Sequence, residues 1–392
     1  MNNRIKNFDV IIIGAGASGL MCGISAGQRG RRVLVLDHGE KPGRKILISG
    51  GGRCNFTNYN LGAEHYISAN PHFVKSALSR FSQWNILEMV NQHGIPYEER
   101  NFGQLFCWQS AKDLLNMLLK KLEKARGRVY LSASIQNLKK EEKYILSVDD
   151  NIYTSESLVI ATGGITWKSA GATDFGLQIA GQFGLKVLPP QAGLVPLIWT
   201  QKDQQKFSGL SGISITAGIT FEKHAFQDEL LFTHHGLSGP AILQISNYWR
   251  TKGKIFIDFL PGQNISQLLT DGSTQQNLKN FLKAYLPERL LKILIDGQLF
   301  DKPVHQFNQK EIAGIHSLFH NFEIQPKKKA SLEKAEVMLG GVDTREISSR
   351  NFESQKVPGL YFIGEILDVA GWLGGYNLQW AWSSGWCAGQ YV

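Results

Sequence analysis

Apolar and polar positions along this chain follow two rhythms. Residues 8–13 (FDVIII) form a short apolar run rich in β-branched residues, which predicts a strand buried on both faces. The run leads into Gly14-Ala15-Gly16-Ala17-Ser18-Gly19, and residues 17–28 carry small side chains at helical spacing. Residues 32–36 (RVLVL) predict a second strand, ending at Asp37. Residues 71–81 and 82–93 read as helices. A further helix is clearer, because Ser110 and Asp113 make a capping-box-like start to LLNMLLKKLEKARG, which closes with basic residues and Gly127. Residues 129–131 predict a strand, and residues 135–164 alternate with period two between turns at Lys140-Glu141 and Asp149-Asp150. A helix is expected over 170–184, and Pro189-Pro190 predict a break.

Beyond that break the pattern changes to alternating strands (SGISITAGITFE, KIFIDFL) and then to helices within 281–294. The expectation is a first domain over 1–190, an inserted β-rich and helical domain over 191–335 for substrate or partner recognition, and a return to the first domain over 336–392. In the return, GLYFIGE predicts a strand ending at Gly364-Glu365, and Gly374-Gly375-Tyr376-Asn377 open a helix reaching about Gly389.

Composition adds bounds. The chain has 392 residues, 43% of them hydrophobic, enough for real cores. Cys22, Cys54, Cys107 and Cys387 lie far apart in sequence, without Cys-x-x-Cys or zinc spacing, so neither a disulfide framework nor a metal site is expected and a reducing cytoplasm fits best. Asp9 and the glycines inside the first apolar segment argue against a signal peptide, and no run reaches the length of a membrane span. The net charge of +9 admits an anionic partner, but the basic residues are dispersed, with QPKKKA (325–330) the one tight cluster, which reads as a solvated loop. Nucleic acid is therefore placed behind a small-molecule substrate as partner.

The chemistry begins at Gly14-x-Gly16-x-x-Gly19. Between a strand and a helix, and followed by a strand with a terminal acid, this spacing points to dinucleotide binding. Gly14 allows the tight turn, Gly16 lets a pyrophosphate approach the backbone, and Gly19 lets helix and strand pack closely. The helix start, with Ala17 and Ser18, offers N–H groups to phosphate, and Asp37 is placed for a ribose hydroxyl.

Four segments carry a more specific resemblance: GRKILISGGGRCNFTN (43–58), LVIATGG (158–164), LFTHHGLSGPAIL (231–243) and GLYFIGEILDVAGWLGGYNLQWAWSSGWCAG (359–389). Together they resemble the BaiN/YhiN-like, aminoacetone-oxidase-like flavoproteins. The resemblance implies a Rossmann-like α/β fold of the glutathione-reductase type and FAD as cofactor, with NAD(P)H as a transient reductant. It also implies cofactor contacts from His38, Lys45, Ser49, Gly50, Gly51, Arg53, Cys54 and Asn55, from Ile135 at the adenine, and from Ala161, Thr162 and Gly163. From the C-terminal segment it adds Gly364, Glu365, Asp368, Gly375, Tyr376, Asn377 and Gln379. Under this expectation side chains at the glycine triplet would collide with the cofactor, and Ile46, Leu47, Ile48 and Phe56 would bury the loop. Arg53 would offset phosphate charge, while Cys54, with no cysteine near it in sequence, would be a small buried thiol. The helix opening at Gly375 would stabilise charge at the flavin pyrimidine.

The expected activity is FAD-dependent hydride transfer to or from a small organic substrate or NAD(P)H. His234, beside His235 and the turn 236–240, is the candidate acid–base residue, and Trp167, Trp372 and Tyr376 are candidate pocket walls. Two alternatives stay open: an FAD-dependent enzyme of the tRNA-modifying type, favoured by the charge, and a non-catalytic flavin redox sensor, favoured by the lack of a clear acid–base set. Oligomeric state is open.

Overall fold

A computed structural model describes residues 5–271 and 275–392. The chain divides into two compact units, 1–191 with 337–392, and 192–336.

The first unit is built on a five-stranded parallel sheet in the order Leu360–Phe362, Ser157–Ile160, Val10–Ile13, Val33–Leu36, Arg128–Tyr130. Its inner strands are fully buried and almost wholly aliphatic, as expected of a sheet covered on both faces. The helices Ala17–Gln28 and Tyr376–Gly389 lie against each other so closely that a Cβ on Gly385 would meet the Ser18 carbonyl at 2.3 Å. Ser25 Oγ donates to the Trp386 carbonyl at 3.0 Å, tying the two ends of the chain together. The period-two stretch folds as an antiparallel meander, Ile135–Lys140, Tyr144–Val148 and Asn151–Ser155, with Ile5–Asn7 parallel to its last strand. Ser110 caps the helix Ala111–Lys124, its Oγ accepting from the Lys112 N–H at 3.2 Å.

Several expectations need correction. The helix expected over 170–184 is only Phe175–Gln182, preceded by a 3-10 turn at Lys168–Ala170. Pro189-Pro190 do not break the chain: they lie inside the strand Val187–Gly193, which belongs to a two-stranded sheet, where an absent N–H is tolerated at an edge. A three-stranded antiparallel sheet of Asn55–Asn58, Gln104–Cys107 and Tyr97–Arg100 was not anticipated.

The second unit carries a seven-stranded sheet in the order Phe322–Ile324, Ile255–Asp258, Ser214–Phe221, His224–Phe232, Gly236–Ser238, Leu197–Ile198, Lys328–Lys329, every neighbouring pair antiparallel. Pro287 separates the helices Leu278–Leu282 and Glu288–Leu294.

Candidate cofactor and active site

Gly14, Gly16 and Gly19 have different physical reasons. A Cβ on Gly14 would meet the Ala161 carbonyl at 2.3 Å, and one on Gly19 would meet the Gly14 carbonyl at 1.9 Å, so both are demanded by the protein's own backbone. Gly16 is not: its φ of −86° suits any residue, and a Cβ there meets nothing within 4 Å. Gly16 is also the N-cap of Ala17–Gln28 and provides no side-chain cap, leaving first-turn N–H groups directed at the same space. This is a cradle that a side chain would fill and a phosphate fits.

Asp37 closes the second strand as expected. Its Oδ2 accepts from the Ala15 N–H and its Oδ1 from the Gly39 N–H, both at 2.8 Å. Arg44, not singled out in the sequence, reaches Asp37 Oδ1 at 3.2 Å and the exposed His38 Nε2 at 3.3 Å. Ala133, two residues before Ile135, donates its N–H to the Asp37 carbonyl at 2.9 Å, while Ile135 itself pairs with Val148 in the meander.

The strands Ser157–Ile160 and Leu360–Phe362, adjacent and parallel, lead into Ala161-Thr162-Gly163 and Gly364-Glu365 and so bring these motifs together. A Cβ on Gly364 would lie 2.6 Å from Ser18 Oγ. Glu365 ion-pairs with Lys45, and its Oε1 accepts from the Met338 N–H at 3.0 Å. Thr162 Oγ1 is buried without a hydrogen-bond partner, a polar atom left over by the protein.

The glycine triplet has a conformational reason first. Gly50, Gly51 and Gly52 have φ of 56°, 66° and 86°, in the left-handed region that favours glycine. A Cβ on Gly50 would strike Phe106 at 2.8 Å, whereas Gly51 faces open space. The loop is not buried throughout: Gly50, Gly51 and Ile48 are exposed while Ile46 and Phe56 are buried. Ser49 Oγ donates to the Ile46 carbonyl at 2.8 Å. Arg53 is paired with Glu98 at 3.2 Å, which also binds Arg100, so its charge is already offset. Cys54 has a cysteine neighbour after all, since the Cys107 N–H donates to its carbonyl at 3.4 Å. Burial pushes both thiols up, Cys107 to about 12, so neither is an activated nucleophile.

At the C-terminal motif, the helix Tyr376–Gly389 opens from Gly374 and Gly375, both with positive φ, and a Cβ on Gly375 would meet the Thr57 carbonyl at 2.4 Å. With its amide oriented to satisfy both ends, Asn55 accepts from the Gly375 N–H at 3.2 Å. Two of the expected contact residues also brace the protein's own backbone. Gln379 is fully buried, accepting from Thr57 Oγ1 at 2.6 Å and donating to the Phe81 carbonyl at 3.1 Å, and the Asn377 side chain closes the turn onto Gly371. Asp368 accepts from the Ala69 N–H at 2.7 Å, and burial raises its carboxyl above the usual range.

His65 was missed. Its ring stacks on Tyr376 with centroids 4.6 Å apart and meets the Trp372 edge at 4.8 Å. Its Nδ1 is buried without a hydrogen-bond partner, and burial holds the imidazole below its ordinary value, favouring the neutral form. Only spatial proximity identifies it, because no motif surrounds it. In the second unit His234 and His235 are exposed. Their turn is closed by Thr233, whose Oγ1 donates to the Gly236 carbonyl at 2.8 Å.

The HI0933-like protein Rossmann domain family matches residues 8–391. The chain belongs to that family. It is 47% identical over 392 residues to an Escherichia coli protein named ribosomal RNA dihydrouridine synthase, covering 98% of each chain. A Haemophilus influenzae protein of the same name is 44% identical, with 95% of this chain and 96% of that one covered. A Clostridium scindens 3-dehydro-bile acid delta(4,6)-reductase is 28% identical over 97% of both. Among solved structures, the FrdA chain of an E. coli quinol fumarate reductase variant superposes with a TM-score of 0.50 at 14% identity, covering 99% of this chain and 70% of that one, a likeness of fold. The HI0933-like chain is an FAD-dependent oxidoreductase, which sets aside the non-catalytic sensor. Among the described residues no helix is long and apolar enough to cross a membrane, and no cluster has the makings of a metal site.

Proposed function

We propose that this chain reduces the C5–C6 double bond of a uridine in ribosomal RNA, with NAD(P)H as the ultimate reductant. The observation that carries the reading is the 47% identity to the E. coli protein of that name, sustained over 98% of both chains. The reaction balances as one hydride delivered to uracil C6 and one proton to C5, while NAD(P)H becomes NAD(P)+. Bound FAD supplies the hydride acceptor and donor between the two substrates.

In this reading the chain's own residues divide the work. The Gly14–Gly19 turn and the uncapped helix start hold the pyrophosphate. Asp37 takes the ribose, and Thr162, Gly163, Lys45 and Glu365 line the middle of the cofactor. The first turn of Tyr376–Gly389, with Gly375 at its N-cap, offers N–H groups to the pyrimidine ring. His65 and His234, each in its imidazolium form, are the candidates to hand a proton to C5, His65 against the burial that favours its neutral ring. A second reading, reduction of a small conjugated enone, is favoured by the Clostridium relative and by the aromatic cluster of His65, Trp372 and Tyr376. Both readings share one chemistry, saturation of a C=C bond conjugated to a carbonyl.

The test is nucleoside mass spectrometry of ribosomal RNA from a strain lacking the gene. Dihydrouridine should disappear and return with the wild-type gene, but not with Gly16→Val. Unchanged rRNA dihydrouridine in the deletion strain overturns the rRNA reading, and the enone reading is then tested by NAD(P)H consumption with 3-oxo-4-ene steroids.

A further inference from the structure

The second unit carries a charge imbalance that sequence order hides. Lys279, Lys283 and Lys292 converge on the single carboxylate of Glu288, at 3.3, 2.9 and 3.1 Å. The three ammonium groups hold Glu288 down to about 2, so it is ionised at any working pH, yet it offsets only one of them. Arg289, the next residue, spends a hydrogen bond on a neutral group, the Gly209 carbonyl at 3.3 Å. Gly209 lies in the turn Ser208–Leu210 that follows the helix Gln201–Phe207, whose Lys206 sits over the Phe207 and Phe322 rings at 5.1 and 5.7 Å. Tyr285, on the segment between the two short helices, is 39% exposed beside Phe281.

We propose that the face formed by Leu278–Leu282 and Glu288–Leu294 docks the phosphate backbone of the RNA substrate, with Tyr285 offering a ring to an unpaired base. The proposal rests on the rRNA reading above and adds to it where on this chain the RNA lies. A polyanion is the partner that relieves this arrangement: each phosphate replaces repulsion between neighbouring ammonium groups with attraction, and releases condensed counterions. An exposed aromatic among cations is the pattern of surfaces that bind unpaired nucleic acid. An anionic lipid surface would use the charges but has no need of one tyrosine among them.

The experiment compares the full-length FAD-loaded protein with the triple variant Lys283→Gln, Arg289→Gln, Lys292→Gln and with Lys283→Arg, Lys292→Arg. The probe is rRNA transcribed in vitro, unmodified, titrated over a KCl series. The Gln variant should raise KM for rRNA at least ~10-fold and flatten the slope of log K against log [KCl] by about 2, roughly 0.7–0.9 for each lost phosphate contact. Its kcat at saturating rRNA and its FAD content should stay, and the Arg variant should behave as wild type. An unchanged KM and slope in the Gln variant, with wild type binding and modifying rRNA, overturns the surface alone. Wild type that neither binds nor modifies rRNA overturns the reading beneath it. Loss of binding to vesicles of 30% phosphatidylglycerol in phosphatidylcholine, with rRNA affinity intact, assigns the face to a membrane and likewise overturns the proposal.

Discussion

Gly16 and Gly19 sit three residues apart in one turn, yet substituting them should give opposite failures. Gly19→Ala drives a Cβ to 1.9 Å from the Gly14 carbonyl, so strand and helix must separate and the fold itself suffers. The Cβ of Gly16→Val meets no protein atom within 4 Å and the residue keeps an ordinary φ, so the folded state should lose about 1 kcal/mol, as a poorer N-cap. The expected outcome is a folded, colourless Gly16→Val protein whose FAD affinity falls at least ~100-fold, read by the flavin absorbance per chain and by thermal melting without cofactor. Gly51→Ala is subtler, because its cost is conformational: a φ of 66° costs an alanine about 1–2 kcal/mol even in open space. FAD affinity falling with stability unchanged would mark a direct contact at Gly51. Stability falling with affinity unchanged would leave the triplet a purely conformational device.

At the scale of elements, titrations separate the role of each short segment. His65 lies on the 3-10 turn Ala63–His65 before the strand Tyr66–Ile67, and its burial disfavours the charged ring. The unfolded chain therefore binds this proton more readily than the folded one, so folding stability contributed here falls as pH drops below the ordinary value of 6.5. His65→Phe keeps the stack on Tyr376 and should flatten the difference in melting temperature between pH 7.5 and pH 5.5. In the second unit, Lys329 ends the edge strand Lys328–Lys329, and burial lowers its ammonium to about 8 with one long bond, 3.4 Å, to the Ala192 carbonyl. Below that pH the folded state carries a poorly solvated charge. Lys329→Met should then stabilise the protein by about 1–3 kcal/mol at pH 7, and wild type should close the gap as pH rises from about 8 towards 10.5. Denaturation at a series of pH values reads both effects.

These elements also show why part of the molecule was legible in sequence. The strand, Gly14–Gly19 and helix series reads directly because every part is local: a buried apolar run, a steric need for glycine and a helix start lie within about twenty residues. The sheet of Asn55–Asn58, Gln104–Cys107 and Tyr97–Arg100 does not, since YEER and QLFC carry no clear alternation and their pairing depends on a strand some forty residues away. Separation along the chain also hid the Cys54 and Cys107 contact, the use of Arg53 by Glu98 and, across a far longer stretch, the stack of His65 on Tyr376. Pro189-Pro190 misled for another reason, since an edge position cancels the feature that makes proline a breaker. Charge was misjudged by counting along the chain: QPKKKA contains a half-buried lysine, while Lys279, Lys283 and Lys292 converge on one carboxylate from either side of Pro287.

For the whole molecule, the decisive question is how much of the catalytic advantage is drawn from the RNA far from the reacting uracil. A nucleobase offers few atoms, and a cluster of three ammonium groups sharing one carboxylate would engage only a polymer. Phosphate contacts remote from the uracil bind substrate and transition state alike, so a truncated substrate loses kcat/KM through KM. The expected outcome is that uridine monophosphate is reduced at least ~1,000-fold less efficiently than rRNA, while NAD(P)H bleaches the flavin equally fast with or without RNA. Salt then separates the terms. Raising KCl from about 50 to about 200 mM should depress kcat/KM for rRNA by a factor of 10 or more through phosphate contacts, yet barely alter it for uridine monophosphate, which releases few counterions. Stopped-flow flavin absorbance and product mass spectrometry measure the two half-reactions. Equal efficiency on the monophosphate and on rRNA would mean that recognition is confined to the uracil, and the basic charge of this chain would then need another explanation.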